Sequence, residues 1–126
     1  MLNKATVTPT LPAVDIKRAR KFYEEKLGLK AVREDPGPGL LMEAGKGTKI
    51  YLYQRGPTKA DHTVADFTVA DVEAEVKALK AKGVNFEEYD MPEMGLKTVN
   101  GIAAMDGFKS AWFKDTEGNI IGISNM

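Results

Sequence analysis

The chain has 126 residues, 43% apolar and 29% charged, which are the proportions of one globular domain long enough to bury a core. Its 18 basic side chains balance 18 acidic ones, against the strongly basic surface that nucleic acid or an anionic membrane would require. Cysteine is absent, so disulfides, thiolate metal sites and cysteine nucleophiles are excluded.

In chain order, the opening "MLNKATVTPT" carries no apolar signal core, and no window approaches a membrane span, so a cytoplasmic protein with no nucleic-acid or membrane partner is expected. A first β-like run is expected over about residues 4–12. "DIKRARKFYEEKLGL" then reads as an amphipathic helix with Asp15 as N-cap and Ile16, Ala19, Tyr23 and Leu27 on one stripe. Three further strands are expected at about 30–35, 39–44 and 48–54. The polar "QRGPTKAD" reads as a linker, giving a first module over about 4–55, a linker at 56–61 and a second module over about 62–126. There the order recurs: a strand at about 62–69, a helix "DVEAEVKALKAKGV" capped by Asp71 and stopped at Gly83, then strands at about 85–89, 109–114 and 119–124. Residues 90–109, rich in Gly and Met, read as a long irregular connection of the kind that often serves as a lid or binding loop.

The chain is therefore written twice. Setting Asp15 on Asp71 places Thr8 on Val64, Thr10 on Asp66 and Leu11 on Phe67; setting Gly47 on Gly118 places Tyr51 on Gly122 and Tyr53 on Ser124. Apolar positions fall on apolar positions. A glycine at 122, inside the branched run Ile120-Ile121-Gly122-Ile123, has two readings: a bulge that curves the strand, or a missing side chain that leaves room for something else.

The paired pattern, with "LPAVDIKRARKFYEEKLGL" in the first half and "AWFKDTEGNIIGI" closing the second, resembles the vicinal oxygen chelate superfamily, which includes glyoxalases, bleomycin-resistance proteins and extradiol dioxygenases. The resemblance implies an α+β fold of two tandem βαβββ modules forming a cupped mixed sheet, and commonly a homodimer. In metal-dependent members the ligands come from the first and last strand of each module, typically His or Gln early and Glu late. Carried onto this chain, those positions are Thr8, Tyr51, Val64 and Gly122. Two have no donor and two offer only a neutral hydroxyl, so no metal and no cofactor are expected.

Among other candidates, His62 is the only histidine and is either a base or an exposed residue ending the linker. Asp66 is either a carboxylate set in the cup or one solvated at its mouth. Strand alternation puts His62, Val64 and Asp66 on one face, with His62 and Asp66 about 13 Å apart, too far to share a metal. It likewise puts Lys49, Tyr51 and Tyr53 on the open face of their strand, with Ile50 and Leu52 toward the helix. Trp112 and Ser110 should be open, with Ala111 and Phe113 in the core. Thr10, Met105 and Ser124 complete the expected ligand-binding set. Aromatics with polar handles suit a planar organic ligand, though each could instead pack under the loop or at a subunit contact. The expected function is metal-independent sequestration of a small planar or amphipathic molecule, as in bleomycin resistance. The alternative is a lyase, isomerase or dioxygenase with a non-standard or cofactor-free site that uses Asp66 or His62 as base.

Overall fold

The computed structural model describes residues 1–126 and packs as two units, Met1–Thr58 and Lys59–Met126. The first contains strand β1 (Thr10–Ala13), helix α1 (Ile16–Glu25), and strands β2 (Lys30–Asp35), β3 (Gly39–Glu43) and β4 (Lys49–Gln54). They form a four-stranded sheet in the order β1-β4-β3-β2, in which only β1 and β4 run parallel. The second contains β5 (Thr63–Thr68), α2 (Val72–Ala81), β6 (Asp90–Met91), β7 (Leu96–Val99), β8 (Ile102–Met105), β9 (Phe108–Lys114) and β10 (Ile120–Ser124). Its sheet runs β5-β10-β9-β8-β7-β6, again with the first and last strands parallel neighbours. The fold is α+β, one helix and one mixed sheet per module.

Both helices start as the sequence predicts. The Asp15 carboxylate accepts the Arg18 N–H at 3.1 Å, and Asp71 accepts the Ala74 N–H at 3.0 Å, each satisfying one of the amides that a helix start leaves unpaired. α2 ends at Gly83, φ +91°, where the Val84 N–H returns to the Leu79 carbonyl and the Gly83 N–H to that of Lys80. This is the Schellman arrangement, which needs a residue free to adopt positive φ. One face of each sheet packs on its module's own helix. In the first unit Leu11, Leu40, Met42, Ile50 and Leu52 are buried with Ala19 and Tyr23; in the second, Ala111, Phe113, Ile121 and Ile123 are buried with Val72, Val76 and Leu79.

The strand register reproduces the internal repeat. Thr10 lies opposite Tyr51 and Leu11 opposite Leu52 in the first sheet; Asp66 lies opposite Gly122 and Phe67 opposite Ile123 in the second.

Three expectations are corrected. The first strand covers Thr10–Ala13 and not 4–12: Pro9 has no N–H to continue a ladder, and residues 2–4 form a 3-10 turn. Residues 85–89 make no strand beyond a single bridge, Phe86 to Phe113. The Tyr89 N–H in that stretch is taken by the Thr98 side chain at 2.8 Å instead of by a neighbouring strand. The stretch 90–109 is not irregular, since it holds β6, β7 and β8. Its turns, Asn100-Gly101 and Asp106-Gly107, have positive φ at both residues, the signature of tight type I′ hairpins.

The sheets have edges at β1 and β2 in the first unit and at β5 and β6 in the second. The β2 edge has a register shift between Ala31 and Arg33 and exposes Val32. An edge of this kind gives a motive for pairing with a second copy. Sedimentation velocity at micromolar concentration is expected to give a dimer; monomer alone overturns that expectation.

Candidate functional site

Each sheet has one face on its helix and one face off it, and Lys49, Tyr51, Tyr53, Asp66, Trp112 and Gly122 lie on the second. In β4 the burial alternates: Ile50 and Leu52 are buried, while Lys49, Tyr51 and Tyr53 are only half-buried. Tyr51 reaches diagonally across β3 to β2, where its hydroxyl donates to Asp35 Oδ2 at 2.9 Å. Arg33 grips the same carboxylate with two N–H groups, at 2.8 and 3.1 Å. The Tyr51 hydroxyl passes directly over Gly39, so a methyl group there would collide with it. Tyr53 carries the Arg55 guanidinium over its ring at 5.8 Å, and the Lys49 ammonium donates to the Gly47 carbonyl at 2.9 Å. Beside this network an open cavity of about 570 Å³ is lined by Asp35, Gly39, Gln54 and the first turn of α1. None of the ligand-binding or catalytic candidates from the sequence lines it.

The Arg33 hydrogen bond, and next the one from Tyr51, hold Asp35 below the ordinary carboxylate range. The hydrogen bond to Asp35 in turn raises Tyr51 above an ordinary phenol. The network is therefore complete at neutral pH. The contribution of Asp35 is lost as pH falls through its lowered value, and that of Tyr51 as pH rises through its raised one.

In the second unit Gly122 lies between Asp66 on β5 and Trp112 on β9. Ala111 and Phe113 are buried beneath, and Ser110 and Trp112 are half-buried on the other face, as alternation predicts. Asp66 leans over Gly122: a methyl group at 122 would fall on Asp66 Oδ1 and lie 3.3 Å from the Thr63 methyl. The buried Ser124 hydroxyl donates to Asp66 Oδ2 at 2.6 Å and fixes that pose. On the far side Tyr89 packs edge-on against Trp112, with ring centroids 5.5 Å apart. Loss of water, and then the Glu87 charge, raise the Tyr89 phenol. The question of Gly122 is thus answered by a close approach: the empty position holds a neighbour's carboxylate.

The modules share a device. In each, a hydroxyl holds a carboxylate across a glycine: Tyr51 to Asp35 over Gly39, and Ser124 to Asp66 over Gly122.

Other sequence candidates are placed elsewhere. Thr8 precedes β1 and is exposed, its carbonyl accepting from the Thr10 hydroxyl at 3.3 Å. His62 precedes β5, its side chain 72% exposed and 3.8 Å from Asp61. Val64 sits at a register shift, since Thr63 pairs with Ile120 and Ala65 with Ile121. That shift breaks the alternation expected to group His62, Val64 and Asp66, and Thr63 joins Asp66 beside Gly122 instead. Met105 ends β8 at an exposed hairpin. The residues missed by sequence reading are Arg33 and Asp35 on β2 and Gly39 on β3, whose link to Tyr51 on β4 no local motif records.

The donor set does not fit a divalent ion. Gly122 and Val64 have no side-chain donor, the Tyr51 proton is already committed to Asp35, and nowhere do three His, Asp or Glu side chains converge.

Two outcomes follow. Gly122→Ala should displace the Asp66 carboxylate and cost about 1–2 kcal/mol in urea unfolding. The cost should vanish in an Asp66→Ala background, and simple additivity would refute the close contact. Phenolate absorbance should show Tyr51 ionising above free tyrosine, with Asp35→Asn lowering its midpoint.

Comparisons with known proteins bear on the whole chain. A model described as Glyoxalase/Bleomycin resistance protein/Dioxygenase superfamily matches residues 5–123. Among curated proteins the sequence finds no match. Solved structures of similar fold include lactoylglutathione lyase from Agrobacterium tumefaciens, at TM-score 0.70 and 20% identity, covering 96% of this chain and 92% of that one. The fosfomycin resistance protein FosX from Listeria monocytogenes, complexed with Mn(II) and sulfate, gives TM-score 0.68 at 11% identity, covering 98% and 93%. TnmS3, an antibiotic binding protein from a Streptomyces species, gives 0.66 at 23%, covering 95% of each. No helix is long and apolar enough to cross a membrane.

Proposed function

From a chain that belongs to the glyoxalase/bleomycin resistance protein/dioxygenase superfamily, we propose a metal-independent binder that sequesters a small planar or amphipathic organic molecule, in the manner of bleomycin resistance. The observation that carries this reading is the side chains at the metal-ligand positions. Where metal-dependent relatives need donors, Gly122 and Val64 supply none, and half-buried aromatics stand on the same open faces: Tyr51 and Tyr53 in one unit, Trp112 in the other. Such rings contribute stacking area, and their hydroxyl or N–H groups fix orientation. Lys49, Thr10, Asp66 and Ser124 are the polar groups proposed around them. The fold suits the task, since TnmS3, similar in fold, is named an antibiotic binding protein. Sequestration requires only affinity, so it tolerates the loss of every metal donor. The protein is proposed to act in the cytoplasm, as a homodimer.

An enzymatic reading has one observation in its favour: Asp66 is exposed and oriented by Ser124, the disposition of a general base. It predicts turnover that Asp66→Asn abolishes, whereas a pure binder leaves its ligand chemically unchanged.

A thermal-shift screen of antibiotics and aromatic metabolites tests the binder, because a ligand at 100 times its dissociation constant adds about 2.7 kcal/mol. Gly122→Glu should abolish any shift found, since a second carboxylate would crowd Asp66, while circular dichroism stays unchanged. A hit whose shift survives Gly122→Glu and Trp112→Ala removes the face of the second unit from consideration, and one that also survives Tyr51→Ala and Tyr53→Ala removes that of the first.

A further inference from the structure

Resting on the binding function proposed above, we infer that the open face of the second unit selects an organic cation, an aromatic or amphipathic ring system bearing a protonated amine or quaternary ammonium, held between the Asp66 carboxylate and the Trp112 indole.

The two carboxylates differ in what neutralises them. Asp35 has its counter-ion built in, since Arg33 holds it with two hydrogen bonds. Asp66 has none. Its one side-chain partner is the neutral Ser124 hydroxyl. The two lysines of β9 are engaged elsewhere, Lys109 with Glu73 and Lys114 with Glu87. Asp66 nevertheless does not swing out into water; the Ser124 hydrogen bond holds its carboxylate over Gly122. A full negative charge is thus fixed in place with no cation against it.

What lies across from it is the best cation-binding ring. Asp66, Gly122 and Trp112 are consecutive partners across three strands and share one face. Two strand spacings put the Asp66 and Trp112 backbones about 10 Å apart, with a side-chain-free residue between them. Indole has the strongest attraction for cations of the natural rings, and a carboxylate on the other side adds a direct Coulomb term. Tyr89 packs against Trp112 and steadies the ring. An anion would meet Asp66 unfavourably. A neutral ring would gain only the stacking.

The test uses a matched pair of planar probes at pH 8, the 9-aminoacridinium cation and neutral acridine, titrated by fluorescence into the full chain. The cation should bind about tenfold more tightly, and the gap should narrow as salt rises. Asp66→Asn keeps the volume and the Ser124 hydrogen bond while removing the charge, and should narrow the gap between the two probes to what the Trp112 ring alone supplies. Trp112→Leu should weaken both, and the cation more. Circular dichroism of each variant checks that it is folded. Equal binding of both probes, or a cation preference that Asp66→Asn leaves undiminished, overturns the inference and leaves the binder standing. If neither probe binds, the cation inference fails together with the claim that these faces take planar molecules.

Discussion

Each module has one helix for one sheet, and this shortage shapes the rest of the molecule. A sheet needs cover on any face made of apolar side chains, and a single helix can cover only one. Ile50 and Leu52, or Ile121 and Ile123, are buried beneath it, while the alternate residues of β4 and β9 are Lys49, Tyr51, Tyr53, Ser110 and Trp112. The face away from the helix is therefore amphipathic by construction. It is aromatic enough to hold an organic ring and polar enough to stand in water.

Glycine decides what happens on those faces. At 39 and at 122 the missing Cβ allows a neighbouring side chain to lie flat over the backbone, and each time the group that does so belongs to a hydroxyl–carboxylate pair. The outcomes differ because their surroundings differ. Arg33 completes the first pair into a closed ionic network, whereas the second remains a lone oriented charge. The position at Gly122 thus has a carboxylate over it after all, supplied by the adjacent strand.

The family resemblance and the local chemistry have different reach. Membership in the superfamily accounts for the fold and covers nearly the whole chain. Structures of similar fold carry names as different as a lyase, a fosfomycin resistance protein and an antibiotic binding protein, so function has to be argued from side chains.

Read alone, the sequence determined the features that depend on neighbours along the chain: the two helices with their Asp caps and the Gly83 stop, the two-fold repeat, and the in-and-out alternation of β4 and β9. These follow from short-range hydrogen bonding and periodicity, which a linear string records. The β7–β8 and β8–β9 hairpins were also legible in principle, in Asn100-Gly101 and Asp106-Gly107, but the richness in Gly and Met suggested a loop. Tertiary structure decided the rest. Whether Gly122 is a bulge or a space depended on Asp66, 56 positions earlier in the sequence numbering. The register shift at Val64 re-sorted which residues of β5 face Gly122. The Arg33–Asp35–Tyr51 network joins two strands through the gap over a third. A side chain's partner across a sheet is set by strand register, and register is fixed only when every strand of the sheet has found its neighbour.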